Sequence, residues 1–515
     1  MLPKQWDKSF GGTGHEELHV VQQTSDGGYI LGGESSSGPS GDKTQPGKGN
    51  QDYWVVKVDA SGNKQWDHSY GGAQEDHLRA LQPTADGGYL LGGYSDSDPN
   101  SDKTQPSQGQ TDYWIIKIDA AGNRQWDKTF GGNGRDYLRS LHPTSDGGFI
   151  LGGESHSEAS GDKTQPTHGP SFTADYWLVK IDAQGTKQWD RAYGGDDDDQ
   201  LTCLQPTRDG GYILGGVTYS QPSGDKTQAH RGLADYWVIK VDAGGTKQWD
   251  QTFGTSSWDF LFAVQQTSDG GYILGGLAQT SLSSDKTQFG QGASDYWIIK
   301  LGATGTKQWD HSFGGTGEDY LSALHQTTDG GYMLAGYSAS GSTGDKTQPT
   351  QGNLDYWLVK TDVLGNKVWD LSLGGNENDQ LTTLLPATDG YLVAGYSYSG
   401  NTGNKTQASW GDSDYWIVKL QGGTTTSVRP ALSQQLMVYP NPARTHLTLH
   451  LAETAPRTEL RLSLLDATGR EVYAQLLQAT SPDLPIEIGP HPAGLYLLRV
   501  VGAQGYVTTQ QVVLE

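Results

Sequence analysis

The stretches that decide the fold are "KQWDKSF", Lys4–Phe10, and "DYWIVKL", Asp414–Leu420. Between them the two patterns come as a pair, DYW first and QWD after a short turn, as in "DYWIIKIDA" (Asp112–Ala120), "AGN" and "RQWDKTF" (Arg124–Phe130). The opening QWD segment has no DYW before it, and the last DYW has no QWD after it. The Trp of QWD, or VWD in the last copy, falls at Trp6, Trp66, Trp126, Trp189, Trp249, Trp309 and Trp369. Its spacing is 60 residues, with one interval of 63 that an insertion near Ser171–Thr173 explains. The Trp of DYW falls at Trp54, Trp114, Trp177, Trp237, Trp297, Trp357 and Trp416, so the two series use 14 of the 16 tryptophans.

One unit predicts four short strands. "HLRALQPT" (His77–Thr84) is the first and "YLLGGYS" (Tyr89–Ser95) the second, joined by "ADGG", where glycine accepts a positive φ at little cost. A polar loop containing DKTQ leads to the DYW strand, whose Trp114, Ile116 and Ile118 share one face at period two. The QWD strand is the fourth. Seven such units at a period near 60 predict an all-β, seven-bladed β-propeller over residues 1–420. A solenoid would need capping repeats, and none is present. If the ring closes, the lone QWD strand pairs with the last DYW strand and completes the seventh blade, which removes an exposed edge. In that phase the first strand of each unit lines a central channel. The DGG and DASGN turns fall on one rim. The DKTQ loops and GG links fall on the other, where function is expected because loops carry it.

Composition agrees with an all-β chain. The 515 residues hold 73 Gly and only 34% hydrophobic residues, yet 16 Trp and 26 Tyr supply large groups for cores. A formal net charge of −23 argues against nucleic acid as a partner. That acidity serves solubility, with cation attraction as the alternative. Cys203 is the lone cysteine, so no intramolecular disulfide forms. No apolar run reaches the ~18 residues of a transmembrane helix. No N-terminal signal peptide is visible, so the chain is expected to be cytoplasmic or to have had its signal removed.

After Leu420 the composition shifts. "QGGTTTSVRPALSQQ" (Gln421–Gln435) has the Thr, Ser and Gly of a linker, and residues 436–515 lack the repeat. "LTLHLAE" (Leu447–Glu453), a hairpin around Ala467–Gly469 and another within Gly494–Glu515 predict an Ig-like β-sandwich. Four motifs stand there in order: "VYPNPA" (Val438–Ala443), "LLDATGREV" (Leu464–Val472), "PAGLYLLRV" (Pro492–Val500) and the terminal "QQVVLE". They resemble the type A C-terminal sorting domain of the type IX secretion system of Bacteroidetes. The resemblance implies export across the outer membrane, recognition of residues 436–515 by the translocon, and release or surface attachment of the cargo. The repeats also resemble the sixty-residue "DGGY…DYW…KLD..G" units of bacterial surface proteins, which implies a fold and no particular activity.

Several residues are candidates for a site. An acid two residues before the first-strand Leu recurs as Glu16, Asp76, Asp136, Asp199, Asp259, Asp319 and Asp379. Seven carboxylates at a channel mouth would bind cations or a basic ligand. The structural alternative is that each accepts N–H bonds from its own loop. The [DN]KTQ motif is expected to tie down its loop, with its Lys paired to that acid, or to offer hydroxyl partners to a glycan. Asp196, Asp197, Asp198 and Asp199 in "GGDDDDQ" suit Ca2+, with a solvated acidic loop as the alternative. Trp258 and Trp410, outside both series, are candidates to stack on sugar rings. His15, His77 and His230 fall on or near the long-loop rim, where surface histidines are commonplace.

No HExxH, GxSxG, P-loop or CxxC pattern is present. The expectation is therefore a secreted or surface-attached binding or adhesion protein, with a polysaccharide or surface protein as its partner. The alternatives are a propeller-type glycosidase or lyase and a purely structural surface module.

Overall fold

A computed structural model describes residues 2–514 except 280–281, 284, 388, 423–435, 440–441, 452–458, 467–470, 479–482, 490 and 503–505. The linker expected at Gln421–Gln435 lies, beyond Gly422, outside the described residues. The chain divides into two compact units, Met1–Gly423 and Thr424–Glu515, and among the described residues both are built from strands without a helix.

In the first unit the described strands form seven four-stranded antiparallel sheets. The second sheet is typical: Asp76–Pro83, Tyr89–Ser95, Asp112–Ile118 and Arg124–Phe130, paired in that order. Its DYW strand is buried on both faces, which is why it runs as a nearly continuous apolar segment. Its one cation, Lys117, leaves the sheet at the end, where its ammonium meets Asp86 of the DGG turn at 2.9 Å. That pairing and the Thr84 hydroxyl hold the Asp86 carboxyl down at about 2.

The repeated letters are explained by one hydrogen-bonded knot. The indole N–H of Trp114 donates to Asp127 Oδ2 (3.2 Å), and Asp127 also accepts from the Thr104 N–H (2.9 Å) and hydroxyl (2.7 Å). DYW, QWD and DKTQ therefore meet at a single carboxylate. The last copy of the knot is made from both ends of the unit. Lys4–Phe10 pairs antiparallel with Asp414–Gln421, Ser9 opposite Trp416, and Asp7 accepts from Trp416 (3.1 Å) and Thr406 (2.7 Å).

Cores lie between successive sheets. Tyr53 and Val55 of the first sheet pack with Leu78, Leu91 and Trp114 of the second. In each junction a Tyr leans on the Trp of the next sheet, as Tyr53 does on Trp114 at 4.9 Å, and its hydroxyl donates to that Trp's carbonyl (3.0 Å). Each such pair adds about 0.5–1.5 kcal/mol beyond the area it buries. Tyr415 makes the same contact with Trp54, at 4.8 Å and with a 2.9 Å hydrogen bond. The backbone crosses closely beside these pairs. A Cβ on Gly93 would stand 1.9 Å from the His77 carbonyl oxygen, which explains the glycine in "LGG".

The second unit holds two sheets around one core. Leu436–Tyr439, His446–Leu451 and Asp483–Glu487 form the smaller; Glu471–Gln478, Glu459–Leu465, Gly494–Gly502 and Tyr506–Leu514 form the larger. Leu447, Leu449 and Ile486 of one sheet pack with Leu462, Leu498 and Val512 of the other. The turn expected at Ala467–Gly469 lies outside the described residues, but the strands flanking it pair, Leu464 opposite Tyr473.

Candidate functional site

The first strands contact one another from sheet to sheet, Glu16–Gln23 with Asp76–Pro83 and so on to Asp379–Ala387, which in turn contacts Glu16–Gln23. Each carries a β-bulge, in the second sheet between Leu78 and Ala80. The bulged residue has no cross-strand partner, and bulges re-aim side chains beside functional sites. At this position the seven sheets carry His19, Arg79, Arg139, Thr202, Phe262, Ser322 and Thr382. Just before the bulge stands a constant Leu–Gly pair, and the cross-strand pair before that is varied again: Glu17 faces Glu34, His77 faces Tyr94, Tyr137 faces Glu154, and Phe260 faces Leu277.

The variation is graded. On the first three sheets the side chains form a charged network. Glu34, buried, takes His77 Nδ1 at 2.8 Å and the Arg79 guanidinium at 3.1 Å on one oxygen. Arg79 also donates to Tyr94 (3.0 Å), and Arg139 pairs with Glu154 at 2.8 Å. Burial pushes the Glu34 carboxyl up, but His19, His77 and Arg79 outweigh it and hold it well below the usual carboxylate range. Glu17 is shifted down in the same way, its burial offset chiefly by the His15 hydrogen bond. That bond in turn raises His15, whereas burial and Arg79 lower His19.

On the fifth to seventh sheets the charges are gone and aromatic residues enter these positions, beside Leu277, Ser322, Gln380 and Thr382. Phe260 stacks on Trp258 at 5.9 Å and on Phe262 at 6.4 Å, Tyr320 stacks on Tyr337 at 5.1 Å, and Tyr396 donates to Gln380 at 2.9 Å. Tyr398 approaches His15 at 5.9 Å, which brings the aromatic residues round to the charged ones.

The other candidates hold the fold. Glu16, Asp76, Asp136, Asp199, Asp259, Asp319 and Asp379 are all 0% exposed, so none is presented to solvent at a mouth. Asp76 accepts from the Gly72 N–H (2.7 Å) and the Ser97 hydroxyl (3.1 Å), closing the link between successive sheets. Burial lifts its carboxyl to about 6, and those of Asp199 and Asp259 to about 7. The DKTQ lysines do not pair with these acids. Lys103, buried, donates to the Ser97 carbonyl and the Ser107 hydroxyl, both at 2.6 Å.

Asp196–Asp199 do not converge on a cation. Asp196 accepts from Gln221 (2.9 Å), Asp197 from Asp198 (2.8 Å), Asp198 from Ala174 (2.8 Å), and the buried Asp199 from Gly195 (2.7 Å). Backbone N–H groups hold all four. Trp258 is 37% exposed and joins the aromatic side of the face. Trp410, 56% exposed, lies elsewhere: its N–H donates to Asp42 (2.9 Å) beside an open cavity of about 530 Å3 lined by Lys8, Phe10, Gly62, Lys64 and Gln407. Equivalent latches join the other sheets, as Gln291 does to Asp345 (3.0 Å) and His168 to Asp225 (3.4 Å).

Sequence reasoning passed over Glu17, His19, Glu34, Arg79 and Arg139. Their signal was available. They occupy columns where the repeat fails to repeat, although the Leu column before the bulge (Leu18 to Leu381) and the Gly column opposite it (Gly33 to Gly395) are constant.

Comparison with known proteins places residues 437–515 in the family described as the secretion system C-terminal sorting domain. Over 161 residues the chain is 26% identical to the regulatory protein FlaEY of Caulobacter vibrioides, covering 30% of this chain and 17% of that protein. Among solved structures it is similar to BBS1N in complex with ARL6DN, with 8% identity, a TM-score of 0.40, and 82% of this chain and 98% of that chain covered. It is similar to puromycin hydrolase, with 14% identity, a TM-score of 0.42, and 85% and 59% covered. It is also similar to an extracellular domain from B. thetaiotaomicron assigned to a hybrid two component system, with 11% identity, a TM-score of 0.26, and 97% and 80% covered. Among the described residues no helix is long and apolar enough to cross a membrane.

Proposed function

Taking as premise that residues 437–515 are a type IX sorting domain, which exports the protein to the cell surface or the medium, we propose that the repeats are a binding module. Residues 1–420 form a seven-bladed propeller closed by Lys4–Phe10, residues 421–435 a linker, and residues 436–515 an Ig-like sandwich that the translocon recognises. The pairing of Lys4–Phe10 with Asp414–Gln421 and the Tyr415–Trp54 contact support closure.

The observation that carries the binding role is the departure from repetition at the first strands. A spacer needs no such departure. A ligand site does: it combines apolar and aromatic lining with a few oriented polar groups. Here Trp258, Phe260 and Phe262 offer ring faces, while Arg79, Arg139 and Glu154 offer charge and hydrogen bonds. That mixture suits a polysaccharide, whose sugar rings have an apolar face and hydroxyl edges. A glycosidase reading needs one carboxyl kept protonated as a general acid. On this face Glu17 is held by His15, and Glu34 by His77 and Arg79, while the first-strand acids that burial raises are 0% exposed, so neither set supplies an accessible protonated carboxyl, which favours binding over hydrolysis.

The test is a glycan array probed with the full chain, followed by the Trp258→Ala/Phe262→Ala double variant. The expected outcome is retention of a polysaccharide class by the native chain and loss of at least about tenfold in affinity, about 1.4 kcal/mol, with the melting temperature unchanged. Retention of no glycan, or equal retention by the double variant, overturns the reading.

A further inference from the structure

One corner of the charged network has a geometry that hydrogen bonding alone does not require. Glu17, His19 and Glu34, all on the first sheet, place their donor atoms within 4.8 Å of one another. His19 Nε2 lies 3.7 Å from Glu17 Oε2 and 3.6 Å from Glu34 Oε1. Nitrogen and oxygen donors set tetrahedrally around Zn2+ at about 2.0–2.1 Å stand about 3.3 Å apart, so small side-chain movements would close the set.

The oxygens facing His19 are the ones left free by the outer contacts. Glu17 Oε1 is held by His15 Nε2 at 2.7 Å, and His15 is itself fixed by Ser413 (2.7 Å). Glu34 Oε2 is held by His77 at 2.8 Å and Arg79 at 3.1 Å. One oxygen of each carboxylate is thus anchored while the other turns to a common point, an arrangement that outer partners impose on metal ligands. No other sheet places this trio at the same positions. The second carries His77, Arg79 and Tyr94 there, and the fifth carries Phe260, Phe262 and Leu277. The trio is therefore not part of the repeated scaffold. Arg79 Nη1 touches His19 Nε2 as well as Glu34 Oε2, so a cation arriving there would push Nη1 off His19, while Nη2 is held separately by Tyr94.

We propose that Glu17 Oε2, His19 Nε2 and Glu34 Oε1 bind one divalent cation of the zinc class, with Arg79 as a displaceable internal competitor. One imidazole with two carboxylates suits Zn2+ better than Ca2+, which takes six to eight oxygen ligands. Three protein ligands leave a fourth position for water or for a group of a bound ligand.

The test uses the full chain without a histidine tag, stripped with a chelator and titrated with Zn2+ by calorimetry, with Co2+ as a spectroscopic probe. The expected result is one Zn2+ per chain, visible Co2+ bands of low coordination number, and no heat from Ca2+ or Mg2+. His19→Ala and Glu34→Gln should weaken Zn2+ by about 100-fold or more, and His15→Ala by about tenfold. Arg79→Gln should tighten it by about tenfold, because a like charge leaves the site. Glu17→Gln, at a partly exposed position, checks the assignment in a variant expected to melt as the native chain does. Absence of stoichiometric Zn2+ binding at micromolar concentration overturns the site. So does binding unchanged in His19→Ala and Glu17→Gln, or binding weakened by Arg79→Gln.

Discussion

The third and first strands of the repeated sheets obey opposite rules. In the third strand all seven copies keep Asp-Tyr-Trp, and each Tyr and Trp is 0% exposed. In the first strand the residue at the bulge ranges from His19 to Arg79 to Phe262. The third strand is pressed between two neighbouring sheets, so each side chain there answers to packing and to a hydrogen bond. The bulged residue is released from the strand ladder, because its backbone has no partner across the strand, so its side chain takes a different partner in different sheets. Repetition persists where sheets support each other, and variation gathers where a site can be built without disturbing them.

The largest break of this contrast is removal of residues 1–12. It leaves the Trp416 indole and the Thr406 hydroxyl without Asp7 and strips a strand from the seventh sheet. The loss of stability should be at least that of Trp237→Ala, about 3–5 kcal/mol for a large buried ring. Thermal melting of both variants decides it; a deletion variant that melts like the native chain would show that the end-to-end pairing carries no weight.

Next in size is the buried carboxylate of the knot. Asp127→Ala strands the buried Trp114 indole N–H, at about 1–3 kcal/mol for a buried group left unpaired, while the exposed Thr104 hydroxyl turns to water. Phe262→Ser, at the bulge, removes a larger side chain yet should change stability by no more than about 0.5 kcal/mol. Denaturant melts of the pair sharpen the comparison. Equal losses would mean that the first-strand face is scaffold after all.

How much of this the sequence disclosed follows from the same division. Constant columns are loud: the spacing of Trp6 to Trp369 and of Trp54 to Trp416 announced four-stranded units before any coordinate was known. The four motifs from Val438 to the terminus did the same for the sorting domain. The seven acids were legible as a recurrent column, and recurrence marks a structural duty; all seven are buried. Glu17, His19 and Glu34 stayed unremarked because Glu34 lies 17 and 15 residues from Glu17 and His19 across a turn, and only the pairing of Glu17 with Glu34 brings them together. Trp410 looked functional for its singularity, yet it occupies a latch position that glutamine or histidine fills elsewhere.

The smallest effect is in pH, and it sets two kinds of repeated acid against each other. Burial raises Asp76 and Asp295 to about 6, and Asp112, Asp199 and Asp259 to about 7. Their folded values lie above the unfolded value near 3.9. The folded chain therefore binds more protons in the window between. The stability this contributes is fully present below about pH 4 and lost as pH rises through about 6–7. The turn acids Asp26, Asp86, Asp146 and Asp209 are held at about 2, chiefly by Lys and Thr partners. Their contribution is present above about pH 4 and lost as pH falls toward 2. It is small because these carboxylates are half-exposed and screened. The melting temperature should thus fall as pH rises from about 5 to about 8, and fall again below about 4. A flat profile from 5 to 8 would mean that these acids of the first and third strands are not buried as deeply as the aromatic residues beside them.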